Sequence, residues 1–301
     1  MPEPKDVIAI IPTFHPGDGL VASAERILAQ TSGLVIVDDG TGADASALLA
    51  ECRELGAITV AEPENLGIAH ALNVGIARAR EAFDSCGFIL TLDQDSLLPE
   101  GYVTATREAF TAAVADDVAV GMVAPERIGD LPPVRAIRQG NTLIGGEPIQ
   151  SGLLIPIETF DTAGTFREDL FIDGVDTEFY VRCLGAGLEV VVAPGTHVPH
   201  RLGEREQIRV LGMGVKLRGR PITIVRSSLF RYYYLARNRA LINRQYGRTN
   251  RAWAIKETLL DVRHYLIVLI FLRERRTRLR LLRAGWRDGK RGRGGKMPST
   301  L

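Results

Sequence analysis

The segment Gly87–Pro99, GFILTLDQDSLLP, constrains the fold more than any other stretch of the chain. Phe88, Ile89, Leu90 and Leu92, interrupted only by Thr91, run straight into Asp93-Gln94-Asp95. A near-continuous apolar run of this length reads as a strand buried on both faces of a parallel sheet. Its carboxylates then fall at the carboxyl end, where open α/β sheets place their ligands. Two Asp at i and i+2 on a turn can aim oxygens at one point, and hard oxygens suit Mg²⁺ or Mn²⁺ beside a phosphate. Taken alone, the tripeptide also reads as an Asp-rich turn, since Asp is common wherever a strand ends.

The residues before it repeat the pattern. Val7–Pro12 is a buried strand ending in Thr13-Phe14-His15-Pro16-Gly17, and Gly19–Gln30 follows with helical apolar spacing. Leu34–Val37 ends in Asp38-Asp39-Gly40-Thr41, Ser46–Leu55 is helical, Ile58–Ala61 ends at Glu62-Pro63-Glu64-Asn65, and Gly67–Phe83 is helical again. Such strand–helix alternation with short connections predicts a doubly wound, mostly parallel α/β sheet flanked by helices. Its strand-end loops share one edge, so Thr13, Asp38-Asp39 and Asp93-Gln94-Asp95 converge. No G-x-G-x-x-G follows the first strand and no G-x-x-x-x-G-K-[ST] occurs, which disfavours dinucleotide and P-loop folds.

The ordered set Pro12-Thr13, Asp38-Asp39-Gly40-Thr41, Asn65-Leu66-Gly67 with Asn73-Val74-Gly75, and Asp93-Gln94-Asp95 with Pro99 resembles family 2 glycosyltransferases of the GT-A fold. The resemblance covers roughly the first two thirds of the chain and implies a nucleotide-diphosphate sugar donor. It implies that an acid of the Asp38-Asp39 pair accepts from the base, that Pro12-Thr13 lies along base and ribose, and that Asp93 and Asp95 hold the ribose and a divalent cation, Mg²⁺ or Mn²⁺. Gln94 and Asn65 join the donor set. Read from the residues alone, Asp39 before Gly40 is also a turn former, Asn65 is also a helix N-cap, and Asn73 and Gly75 read as small residues that permit close helix packing. His15 and His70 read as surface histidines with no assigned role.

Beyond this point Tyr102–Ala115 is an amphipathic helix, Val118–Ala124 a strand, and Pro125–Pro148 a long connection that could hold a hairpin. Gln150-Ser151-Gly152 leads into a further strand; the resemblance places Ser151 and Gly152 beneath the donor sugar. Asp173, Asp176 and Glu178 crowd three acids into six residues where a helix begins, a position that the helix dipole also favours. The segment is similar to the family's E-D-x-[DE] motif six residues ahead of an Arg, here Arg182, with Val175 standing where an acid is common. That resemblance makes Asp176 the general base, Glu178 the second acid and Asp173 a lesser contender. Inverting sugar transfer needs such a base to take the acceptor hydroxyl's proton as it attacks the anomeric carbon. Glu189–Ala193 is the next strand. Past it, His200 resembles the family histidine that completes the cation site with Asp95, with Arg201 as a pyrophosphate contact.

Charge is uneven. Arg273–Lys296 carries eleven Lys/Arg and two Asp/Glu, a local charge near +9 in a chain of net +1. Two helical segments precede this region: the aromatic, basic Ser227–Tyr246 and Trp253–Leu272 with its apolar run YLIVLIFL. Eight residues cannot span a bilayer, but an apolar run flanked by arginines suits an interfacial helix on anionic lipid. A homo-oligomer contact is the other use of such a pair; nucleic acid is disfavoured because no recognised binding fold accompanies the basic run. Cys52, Cys86 and Cys183 lack metal or redox spacing, and no signal peptide is evident, so a cytoplasmic protein peripheral to the inner face of the membrane is expected.

The expected organisation is a GT-A transferase domain over 1–225, a C-terminal helical appendage over 226–288 and a disordered basic tail over 289–301. The Arg-Tyr-Tyr-Tyr and Arg-Asn-Arg patterns of the late helix are similar to those of bacterial rhamnosyltransferases, which use dTDP-L-rhamnose on cell-envelope polysaccharide or lipid-linked acceptors. A galactofuranosyl or other hexosyl transferase using a UDP sugar is the rival within the class; a non-catalytic nucleotide-sugar-binding scaffold is the rival outside it.

Overall fold

The computed structural model describes residues 6–199, 204–207, 209–210, 213–214, 216–217, 220–221 and 223–301. The chain divides into two compact units, one of Met1–Glu168 with Val175–His200, the other of Asp169–Gly174 with Arg201–Leu301. The second unit therefore includes six residues from within the first unit's span and begins earlier than position 226.

The first unit is built on a nine-stranded sheet. Its elements run β1 (Val7–Thr13), α1 (Gly19–Leu28), β2 (Gly33–Asp38), α2 (Ser46–Glu54), β3 (Ile58–Ala61), α3 (Ile68–Ala82), β4 (Phe88–Thr91), α4 (Tyr102–Ala115), β5 (Val120–Ile128), β6 (Ala136–Gln139), β7 (Thr142–Gly145), β8 (Leu153–Pro156), α5 (Ile157–Ala163), α6 (Val175–Gly185) and β9 (Glu189–Val198). The strand order is β3-β2-β1-β4-β8-β5-β9-β7-β6. β3, β2, β1 and β4 are parallel, as the alternation predicts. β8 then runs antiparallel to both β4 and β5, and the β6–β7 hairpin adds an antiparallel edge, so this half of the sheet is mixed. The hairpin lies inside the long connection; Asp116 holds its turn by accepting from Asn141 N–H at 2.7 Å and Thr142 Oγ1 at 2.8 Å.

β1, β2 and β4 are buried at every position, which is why they read as apolar runs instead of alternating ones. Leu20, Ala24 and Ile27 of α1 and Leu49 and Cys52 of α2 seal the same core. α3 packs close to β1 because Gly75 has no Cβ; one would collide with Ile10 Cγ2.

The second unit contains short antiparallel strand pairs between 204 and 226 and three helices: α7 (Arg231–Tyr246), α8 (Arg251–Phe271) and α9 (Arg275–Lys290). Its core joins Phe171 and Tyr232, Tyr233 and Tyr234 of α7 to Val268, Leu281, Leu282 and Ala284. α7 and α9 meet at backbone distance through Gly285 and Gly289, where a Cβ would strike the carbonyls of Tyr233 and Arg237. The basic tail is held where disorder was expected: Arg237 Nη1 donates to the Gly295 carbonyl, Gly295 N–H to the Asp169 carbonyl at 2.6 Å, and Met297 N–H to Tyr234 Oη at 2.8 Å.

Candidate active site

Four strand-end segments are tied to one another at the carboxyl edge of the parallel strands. Asp39 N–H donates to the Thr13 carbonyl at 2.8 Å, joining the ends of β2 and β1, where Pro12 is buried in register with Val37. His15 N–H donates to Thr41 Oγ1 at 2.8 Å. Phe14 N–H donates to Gln94 Oε1 at 2.8 Å, drawing the β1 loop onto the β4 loop. Asp93 N–H donates to Ser151 Oγ at 3.2 Å, and Ser151 Oγ lies 2.7 Å from Ser96 Oγ, which brings in the start of β8. Gly152 N–H donates to the Thr91 carbonyl at 2.7 Å, and its φ of +86° beside Tyr102 Oη leaves no room for a side chain.

Both acids at the end of β2 are buried and act on backbone. Asp38 Oδ2 accepts from Thr41 N–H at 3.0 Å, closing its own turn. Asp39 accepts from Leu66 N–H at 2.8 Å and from Gly67 N–H at 2.9 Å, fixing the loop that opens α3. Gly40, at φ +81°, lets that loop approach, since a Cβ would collide with the backbone of Glu64 and Asn65. The α3 cap is Gly67, with no side-chain capping bond, so Asn65 stands before the helix and does not cap it. Asp93 is half-buried and Asp95 exposed at the end of β4.

The acid cluster divides by partner. Glu178 is buried in α6 and accepts from Arg182 Nε at 3.1 Å and Nη2 at 2.9 Å; Arg182 also donates to the Thr165 carbonyl at 2.8 Å. Asp173 accepts from Arg231 Nε at 3.1 and 3.2 Å and from its Nη2. Asp176, half-buried in the first turn of α6, accepts from Thr177 N–H at 2.8 Å. His197 lies within β9 and contacts the Gly129 carbonyl at 3.0 Å. His200 and Arg201 lie outside the described residues. Among the described residues no three His, Cys, Asp or Glu gather as a metal cage, while Asp93 and Asp95 present the hard carboxylate oxygens that a divalent cation prefers.

Residues 8–170 match the family "Glycosyl transferase family 2". The chain belongs to this family. It is 25% identical over 277 residues to the dTDP-rhamnosyl transferase RfbF of Shigella flexneri, covering 88% of each chain. Among solved structures it is similar to GalNAc-T7 with UDP, GalNAc and Mn²⁺, with a TM-score of 0.54 at 14% identity. That likeness covers 78% of this chain and 51% of the other, so the transferase spans about half the length of that structure.

Three contacts of the transferase escaped the sequence reading. Asn73 of α3 donates to Glu168 Oε1 and to the Phe166 carbonyl, both at 2.8 Å, and accepts from Phe166 N–H at 2.9 Å. His70 Nδ1 lies 3.1 Å from Glu168 Oε2. Burial alone would lower the His70 pKa, but Glu168 and Glu62 more than offset this and raise it. Burial would raise Glu168, yet the bonds from Asn73 and His70 bring it below its ordinary value. Thr177 Oγ1 donates to Glu147 Oε1, tying α6 to the segment after the hairpin. Asn73 and His70, one helical turn apart, carried the signal for the first two: i and i+3 polar groups on one helix face.

Proposed function

We propose that the protein is an inverting, metal-dependent glycosyltransferase that moves L-rhamnose from dTDP-L-rhamnose to a cell-envelope polysaccharide or lipid-linked saccharide. The observation that carries this reading is the cross-linking of the Thr13–His15, Asp38–Thr41, Asp93–Ser96 and Ser151–Gly152 segments into one polar sheet edge. Such preorganisation suits a nucleotide-sugar, which needs base, ribose and diphosphate held in one orientation. The choice of rhamnose rests on the relative's name and on the helix pattern shared with rhamnosyltransferases.

Thr13, Asp38, Asp39 and Asn65 would face the nucleoside; Asp93 and Gln94 would hold the ribose side; Ser151 and Gly152 would support the sugar. Asp95 and His200 would hold Mg²⁺ or Mn²⁺, which when bound offsets charge on the departing diphosphate, and Arg201 would assist there. Asp176 would take the proton from the attacking hydroxyl. Asp173 and Glu178 suit that task less, because each already holds a guanidinium, that of Arg231 and that of Arg182.

No described helix is long and apolar enough to cross a membrane. α8 nevertheless presents Ile255, Leu259, Val262, Leu266 and Ile270 to solvent at helical spacing. Exposed Arg251, Lys256, Arg263, Arg273, Arg275 and Arg276 border the stripe. This pattern supports a peripheral site of action on an anionic membrane surface, where lipid-linked acceptors lie.

The deciding experiment is calorimetric titration with dTDP-L-rhamnose and UDP sugars, with and without Mn²⁺, followed by transfer assays on alkyl glycosides with the wild type and Asp176→Asn. Mn²⁺-dependent preference for dTDP-L-rhamnose, with transfer reduced about 10³-fold in the variant, is the expected outcome. Preference for a UDP sugar would replace the donor with a hexosyl one. Tight donor binding without transfer by the wild type would favour a scaffold.

A further inference from the structure

The chain leaves the sheet unit after Glu168, spends Asp169–Gly174 in the helical unit, and re-enters at Val175, one residue before Asp176. Those six residues are held by side chains of α7. Asn238 Nδ2 is 2.9 Å from the Leu170 carbonyl oxygen, 2.8 Å from that of Ile172 and 2.6 Å from that of Asp173. Three carbonyls converge on an amide with two N–H bonds. The orientation of that amide is fixed from its other end, where Asn238 Oδ1 accepts from Arg237 Nε at 2.8 Å. Arg237 in turn donates to the carbonyls of Asp169 at 3.1 Å and Leu170 at 2.7 Å, and Arg231 grips the Asp173 carboxylate. Arg237 is 0% and Asn238 1% exposed.

The segment they hold is strained. Phe171 has φ +63° and Asp173 φ +65°, both left-handed without being glycine, and Gly174 follows at +76°. Such conformations persist only where the surroundings over-determine them, and they gather where a loop must deliver a group in one geometry. The ring of Phe171 stacks on Tyr234 at 5.0 Å, adding an apolar constraint to the polar ones. A connection needed only to link two elements would have no use for this outlay.

We propose that Asn238 is a positioning residue for sugar transfer, with Arg237 and Arg231 as its supports: through the chain itself, it fixes the backbone course that sets the start of α6 and so the Asp176 carboxylate. This rests on the reading of Asp176 as the base. Asn238 touches neither donor nor acceptor. Its loss acts on the chemical step and leaves the donor edge, built from other residues, intact.

The test uses the full-length protein with dTDP-L-rhamnose and the alkyl glycoside that accepts sugar best in the transfer assays proposed for the wild type. Asn238→Asp keeps the shape but turns a carboxylate oxygen on the three carbonyls. It is expected to lower kcat about 100-fold, as misplacement of a reacting group by an ångström does, while donor KM and the dTDP dissociation constant stay within about twofold. The acidic limb of its pH–kcat profile is expected to shift, and hydrogen exchange across 169–176 to accelerate. Should Asn238→Asp not fold, Arg231→Gln decides the matter from the half-exposed side of the same clamp, with an expected fall of about tenfold in kcat and unchanged dTDP binding. An unchanged kcat with accelerated exchange overturns the proposal, as does a parallel loss of kcat and dTDP affinity, which marks a general structural role. If Asp176→Asn keeps full activity while Asn238→Asp loses it, the base assignment fails and the clamp stands, acting on another group of the same segment.

Discussion

The two units bury different chemistry. The sheet unit closes over Val, Ile, Leu and Ala, and the buried acids at its edge, Asp38 and Asp39, accept from backbone N–H groups of nearby loops. The helical unit buries Arg237, Arg278, Asn238 and Asp288 among tyrosines. Arg278 lies over the Tyr232 ring at 5.3 Å, Arg237 over Tyr234 at 4.8 Å, and Tyr233 Oη donates to Asp288 at 3.0 Å. An apolar core loses stability in proportion to the volume removed. A buried polar network fails at once, because removing one member leaves its partners desolvated and unmatched.

The largest effect that could break this contrast is Arg237→Met. Volume is nearly kept, but the carbonyls of Asp169, Leu170 and Gly295 each lose a guanidinium donor. A loss of about 3–5 kcal/mol is expected, against about 1 kcal/mol for Ile10→Val in the sheet. Trp253 and Trp286, the chain's two tryptophans, both lie in the helical unit, so their fluorescence in urea reports that unit. Equal costs for the two substitutions would dissolve the comparison.

A smaller effect sharpens the other side. Asp39→Ala removes the acceptor of two N–H groups, and the Leu66–Gly67 turn loses its anchor. About 2–3 kcal/mol of stability is expected to go, with dTDP affinity falling at least tenfold, since charge-assisted bonds to buried donors are worth about 1.5–3 kcal/mol each. If dTDP binding survives while stability falls, the donor edge does not depend on this turn.

How far each unit was legible follows from the same chemistry. Val7–Thr13, Gly33–Asp38 and Phe88–Thr91 announce themselves because burial on both faces writes unbroken apolar runs, and a polar residue at each end marks the shared edge. Asp39 and Gln94 were therefore read as sharing one edge, whereas Ser151 entered only through the family resemblance. The clamp on 169–174 was not, because Asn238 and Arg237 bind main-chain carbonyls more than sixty positions away, and carbonyls leave no trace in residue type. The basic end misled for a related reason. Its composition suggested disorder over 289–301, yet main-chain bonds hold that stretch, Gly295 N–H to the Asp169 carbonyl and Met297 N–H to Tyr234 Oη. The direction reversal of β8 was hidden too, since a strand buried on both faces reads the same either way.

The apolar stripe of α8 gives a third prediction, weaker than either core substitution. Leu259→Asp with Leu266→Asp changes only exposed positions, so stability should hold within about 0.5 kcal/mol while the affinity for anionic vesicles falls at least tenfold. Flotation with phosphatidylglycerol vesicles measures it. Unchanged flotation, or a wild type that does not float, removes the membrane role, and a change of oligomeric state in the variant would assign the stripe to a second copy.

The smallest effect concerns a half-exposed charge contact of the sheet unit, the Glu168 anchor just before the strained segment. His70 has a raised pKa, so its protonated form is favoured by folding; that contribution is complete below its ordinary value of 6.5 and fades as pH rises through the raised one. Glu168 has a lowered pKa, so its contribution is complete above its ordinary 4.5 and fades as pH falls through the lowered one. The pair is therefore at full strength between about pH 4.5 and 6.5. Glu168 is half-exposed, so solvent screening holds the coupling below about 1 kcal/mol. His70→Gln should lower the urea midpoint more at pH 5.5 than at pH 8.5, where the histidine has lost its charge. An equal deficit at both values would mean that the imidazole holds Glu168 by a neutral hydrogen bond. The sheet unit would then rely on hydrogen-bond geometry at this anchor, as it does at Asp38 and Asp39, while its buried charge sits in ion pairs such as Glu178–Arg182.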